Sequence, residues 1–122
     1  MPLVTSVQEA AEFHGVNPET VIPDLSGFPE HLRGQATAAL SLLLVNSAIN
    51  DNKPFDWNNG KPKRYAWWDL EEYKESPGGF RFDASHCASD LSVVGSGFSF
   101  HEEKGLQHSV KTFEEQWKAF IK

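Results

Sequence analysis

Hydrophobic and polar positions along the chain change rhythm twice. In "SVQEAAEFHG", residues 6–15, Ser6 precedes Glu9 by three positions and Gly15 closes the run. This spacing predicts a reciprocally capped short helix over 6–14, stopped by a glycine in the left-handed region. The following "VNPETVIPDLSGFP" is rich in proline and turn formers, so it reads as a connector tacked to a core by Val21, Ile22, Leu25 and Phe28. From Pro29, which suits a first helical turn, Leu32, Ala36, Ala39, Leu40 and Leu43 recur at helical spacing, and Leu42, Val45 and Ile49 widen the stripe. A long central helix is expected there.

At "DNKPFDWNNGKPK" the helical rhythm stops among Asn, Asp, Gly and Pro. "KRYAWWDL" at 63–70, "GGFRFDAS" at 78–85 and "LSVVGSGFSF" at 91–100 then carry aromatic or β-branched residues near period two, as strands do. The tail from 101 returns to helical spacing with Leu106, Val110, Phe113, Trp117, Phe120 and Ile121 on one face, and Glu102 and Glu103 stand near the positive end of its dipole. The expected architecture is a single α+β domain over 1–122, in ααβββα order. It comprises a helical half over 1–52, then a sheet and C-terminal helix over 53–122. The sheet is expected to be a three-stranded antiparallel meander packed against helices on one face.

Strand alternation divides the expected sheet. Trp68, Leu70, Phe80, Phe82, Phe98 and Phe100 fall on the side the helices would cover. Tyr65, Trp67, Asp69, Arg81 and Ser99 fall on the other, around Gly95 and Gly97. An aromatic beside glycines can be a packing device. Exposed Trp, Tyr and Arg are also the types that concentrate binding energy. A bulge would exchange the parities.

Charge narrows the function classes. At 122 residues and a formal net charge of -6, the chain is an unsuitable partner for duplex nucleic acid or anionic membranes, both of the same sign. An aromatic share of 12% argues against disorder. The single cysteine, Cys87, leaves no internal disulfide, and with no signal-peptide pattern or membrane-spanning run the expected compartment is cytoplasmic. Against the acidic background, Lys53, Lys61, Lys63 and Arg64 form a basic run interleaved with Phe55, Trp57 and Tyr65. Aromatic rings stack on bases and cations pair with phosphate, so this interleaving suits a small anionic, base-containing ligand. Lysines that solvate a loop and a tryptophan that closes a core edge would leave the same pattern. The candidate ligand-binding residues are Trp57, Lys61, Lys63, Arg64, Tyr65, Trp67, Arg81 and Ser99.

Catalytic groups are not evident. His86 and Cys87 are adjacent in an expected strand and point opposite ways. His101 and His108 are spaced beyond the i, i+4 separation of a shared metal, and the glycine pairs lack the dinucleotide fingerprint. The expectation is a non-enzymatic protein with no metal and no cofactor.

The ordered motifs "DWNN", "YAWW", "GGFRF" and "VGS", with the opening "VQEAAEFHGVNPETVIPDLSGFPE", resemble a family of small proteins encoded by bacteriophages and mobile elements of gut Bacteroidota. The resemblance spans nearly the whole chain. It implies a phage-type origin and an intracellular setting in the host cytoplasm, and transfers no catalytic residue. Relatives of that kind often carry arginine where this chain has Gly97. The resulting expectation is a phage accessory protein that binds a nucleotide-like ligand and sequesters a host immune signal. The alternative is an interaction module, either a virion component or an inhibitor of a host protein, acting as a monomer or a homo-oligomer.

Overall fold

The fold is that of a computed structural model, which describes residues 1–56, 63–69, 81–88 and 96–121. Helix α1, Val7–Phe13, begins as its capping pattern predicts, with the Ser6 hydroxyl accepting from the Glu9 amide at 3.1 Å. The reciprocal bond lands one residue earlier. The Glu9 carboxylate accepts from the Thr5 amide at 2.9 Å and the Thr5 hydroxyl at 3.0 Å. At the other end the Gly15 amide donates to the Glu12 carbonyl and the Val16 amide to the Ala11 carbonyl. This double closure needs a left-handed residue, which Gly15 supplies at φ 71°.

Helix α2, Glu30–Ile49, starts after Pro29, so the proline sits just outside the first turn. Arg33 ties the connector to it by donating to the carbonyls of Phe28 and Ser26, at 2.7 and 2.8 Å. Val21, Ile22 and Leu25 are half-buried, whereas Phe28, expected to anchor the connector, is exposed. The buried face of α2 is rotated from the expected stripe. Ala38, Ser41, Leu42, Val45, Asn46, Ala48 and Ile49 are buried, and Leu32 and Leu43 face out. The rotation follows from two polar residues, Ser41 and Asn46, that a hydrophobic count assigns to solvent.

Among the described residues the expected α+β domain, with its three-stranded meander and ααβββα order, is not formed. Helix dominates the described residues, with four helices and one antiparallel pair, strands β1 (Lys63–Asp69) and β2 (Arg81–Ala88). Their register pairs Trp67 with Ala84 and Trp68 with Phe82, skipping Asp83, and so contains an irregularity beside the tryptophan pair. Among the described residues of the segment expected as a third strand, Ser96–Phe98 is a 3₁₀ turn and only Phe100 pairs with β1. Arg64 and Phe100 exchange both backbone hydrogen bonds, at 2.9 and 2.7 Å. On the opposite edge the Asn50 side chain donates to the Ser99 carbonyl and accepts from the His101 amide. An asparagine amide thus occupies the place where a neighbouring strand would extend the ladder. Of the expected strand residues, 70, 78–80 and 91–95 lie outside the described residues.

The C-terminal element is also divided. Helix α3, Glu103–Thr112, and helix α4, Glu114–Ile121, meet at Phe113, whose φ of -113° and ψ of 34° leave the helical region. The apolar stripe continues through the break. Leu106, Val110, Phe113 and Trp117 are buried and complete a core with Val4, Ala10, Leu42, Val45, Ala48, Ile49 and Phe100. Phe98 stacks on Phe120 at 4.6 Å and meets Trp117 edge-on at 5.9 Å, closing the end of the core beside α4.

Candidate functional site

The basic, aromatic run begins where α2 ends. After Ile49 the chain turns through Asp51 and Asn52, both left-handed at φ 57° and 58°, conformations that Asp and Asn tolerate better than most residues. The last carbonyls of α2 are satisfied within this turn. Asn46, Ala48 and Ser47 accept from the amides of Asn50, Asp51 and Asn52, and the Ser47 hydroxyl donates to the Asn52 side chain at 2.9 Å. Lys53 and Phe55 then run alongside the 96–101 segment. His101 Nε2 lies 3.0 Å from the Lys53 carbonyl, and its ring stacks on Phe55 at 4.1 Å with the planes 7° apart.

A depression of about 420 Å³ opens beside this turn, with Leu43, Ser47, Asn50, Asn52, Lys53 and Phe55 on its walls. Gly97 completes it. A methyl group at Gly97 would clash with Leu43 Cδ2, so the missing side chain keeps that wall open. The depression offers one cation, amide and hydroxyl groups, and a two-ring stack at its margin. A lysine can pair with an anionic group and aromatic rings with a planar one, and no acid–base pair stands among the described lining residues.

The sequence-predicted residues are distributed differently. Arg64 is half-buried and its guanidinium pairs with Glu103 at 3.2 Å, near the start of α3. Such a partly exposed pair contributes under about 1 kcal/mol. Tyr65 is half-buried, but Lys63, expected to pair with phosphate from the basic run, and Ser99, expected on the open face, are 3% and 0% exposed. Ser99 is enclosed because its carbonyl is held by Asn50 and its neighbour Phe100 is core. Trp67 and Arg81 lie on β1 and β2, where Arg81 pairs in register with Asp69, and their side chains are outside the described set. Trp57 and Lys61 lie outside the described residues. The structure therefore joins Arg64 to the 96–101 segment through its backbone, and separates Lys63 and Ser99 from the surface.

Lys53 and Phe55, the start of the same run, line the depression instead. Asn50 and Asn52 carried no functional signal in the sequence beyond the clustering of asparagines after an apolar helix, and Gly97 stood out only as a small residue of the open face and as the place where similar proteins carry arginine. Among the described residues no three His, Cys, Asp or Glu side chains are grouped for a metal ion, and no helix is long and apolar enough to cross a membrane. Compared with known proteins, the chain matches no family model, no curated protein and no solved structure.

Proposed function

We propose that the protein is a non-enzymatic binder of a small anionic ligand carrying a planar base, held at the depression beside the Lys53–Phe55 turn. The observation that carries this reading is the convergence of Lys53, Phe55, Asn50 and Asn52 on one open volume of about 420 Å³. The ring stack extends the platform through His101, the amides match the edge of a base, and Lys53 pairs with phosphate. The likeness to phage-encoded proteins supports a setting in the host cytoplasm, where sequestering a nucleotide immune signal would be the biological use. Calorimetric titration with linear and cyclic adenine and guanine nucleotides tests the reading. Saturable heat that disappears in Lys53→Ala and Phe55→Ala is expected, and a panel giving neither heat nor thermal stabilisation overturns it.

A protein-interaction module is the second reading. It is favoured by Leu43, 41% exposed in the middle of α2. It predicts a complex with a host or virion protein that Leu43→Glu dissolves while nucleotide titrations stay silent.

A further inference from the structure

A second depression, of about 390 Å³, lies across Leu43 from the first, and its character is different. Val21 and Ile22 of the connector form one wall, and Leu40 and Leu44 of α2 form its floor. Leu43, Ser47 and Asn52 line both depressions, so the two are lobes of one groove along the outer side of α2. His14, at the end of α1, closes this lobe with its Nε2 held 3.1 Å from the Leu44 carbonyl. The cation of the groove, Lys53, stands in the other lobe.

We infer that the groove takes an amphipathic anion, with the anionic group at Lys53 and an aliphatic group lodged among Val21, Ile22, Leu40 and Leu44. This deepens the reading of the Lys53 depression as a ligand site and rests on it for the position of the anion. Complementarity commits the occupant: one lobe is mainly aliphatic, the other carries a lysine and amides, and both border on Leu43, Ser47 and Asn52. Gly97 sets the passage between them. Its backbone is not left-handed, so an added methyl meets only the exposed end of Leu43 and displaces it without backbone strain. Leu43 is thus the specificity-determining residue, and Gly97 positions it.

Isothermal titration with inorganic phosphate, hexyl phosphate and adenosine 5′-monophosphate separates the two readings. Burying methylenes gives about a tenfold gain for every two. Hexyl phosphate is therefore expected to bind at least tenfold more tightly than inorganic phosphate. That gain should vanish in Leu40→Glu and Ile22→Glu, two half-buried positions on different elements, and shrink in Gly97→Ala, while Lys53→Ala weakens hexyl phosphate without removing the contribution of its chain. Circular dichroism of each variant confirms the fold. Hexyl phosphate that fails to bind, binds no better than phosphate, or keeps its gain in both glutamate variants overturns the inference. Adenosine monophosphate reports separately on the base: its failure with hexyl phosphate still bound removes the nucleotide reading alone.

Discussion

The Ser109 hydroxyl on α3 donates to the Asn46 side chain on α2 at 2.7 Å, in a site where both residues are fully buried. The bond belongs to a chain. The Trp117 indole donates to Ser109 Oγ at 3.1 Å, and the Asn46 amide donates onward to the Gly97 carbonyl at 3.1 Å. Three elements are therefore fixed relative to α2 by directional contacts that a purely aliphatic interface would not supply.

Asn46→Ala is expected to lose about 2–4 kcal/mol, since it strands the Ser109 hydroxyl and the Gly97 carbonyl, and an unsatisfied buried group costs about 1–3 kcal/mol. Ser109→Ala strands the indole and the Asn46 oxygen. Because the two share a bond, the double variant should lose less than the sum of the singles. Urea unfolding of the four proteins measures this, and strict additivity would disprove the network.

Acid should weaken the start of α1. The amide and then the hydroxyl of Thr5 hold the Glu9 carboxyl below its ordinary value of 4.5. The ionised form is therefore favoured by folding. Its contribution is complete above the ordinary value and is lost as pH falls through the lowered one. Glu9→Gln removes that dependence. The gap between the two proteins' unfolding midpoints should be widest near neutrality and close in acid, and a constant gap would contradict it.

Left-handed Asp51 offers a gain in stability. Glycine relieves about 1–2 kcal/mol of steric cost at such a backbone angle and returns about 0.5–1 kcal/mol through greater freedom when unfolded. Asp51→Gly is thus expected to be neutral or to stabilise by up to about 1 kcal/mol. Asp51→Val should destabilise, its branched side chain being poorly suited to φ 57°. Thermal unfolding of the pair decides the sign.

Gly105→Ala should behave opposite to Gly97→Ala. Its added carbon would lie 2.8 Å from Ile49 Cγ2 and 3.0 Å from Met1 Sδ, and Ile49 is core. Overpacking costs about 1–3 kcal/mol, more than the roughly 1 kcal/mol alanine gains over glycine in a helix. A net loss is expected in Gly105→Ala, against near-neutral stability in Gly97→Ala, where only the exposed Leu43 must move.

Local chemistry carried the legible part of the fold. Ser6 and Gly15 bound α1 as written, because caps and left-handed stops depend on neighbours in sequence. The stripe through Leu106, Val110, Phe113 and Trp117 names core residues correctly, yet no glycine or proline marks the break at Phe113. On α2 the expectation turned the helix the wrong way, since Asn46 is buried only by virtue of partners 51 and 63 positions away. The same long-range bonding converts most of the described third-strand segment into a turn with one bridge. For the site, the run from Lys53 was visible as charge and rings; the volume beside it depends on Gly97 meeting α2, a relationship with no local signature.

Those asparagine bonds also order events in time. Asn50 binds residues 49 and 51 positions downstream, and Asn46 reaches 63 positions to Ser109. Closing spans of that length precedes any reward from the contacts they create. During synthesis α2 leaves the ribosome with only the α1 side of its inner face covered, and α3, α4 and the 96–101 segment that complete its burial emerge later. The growing chain is therefore most exposed to aggregation between emergence of α2 and emergence of Trp117, the interval in which a chaperone would be of most use.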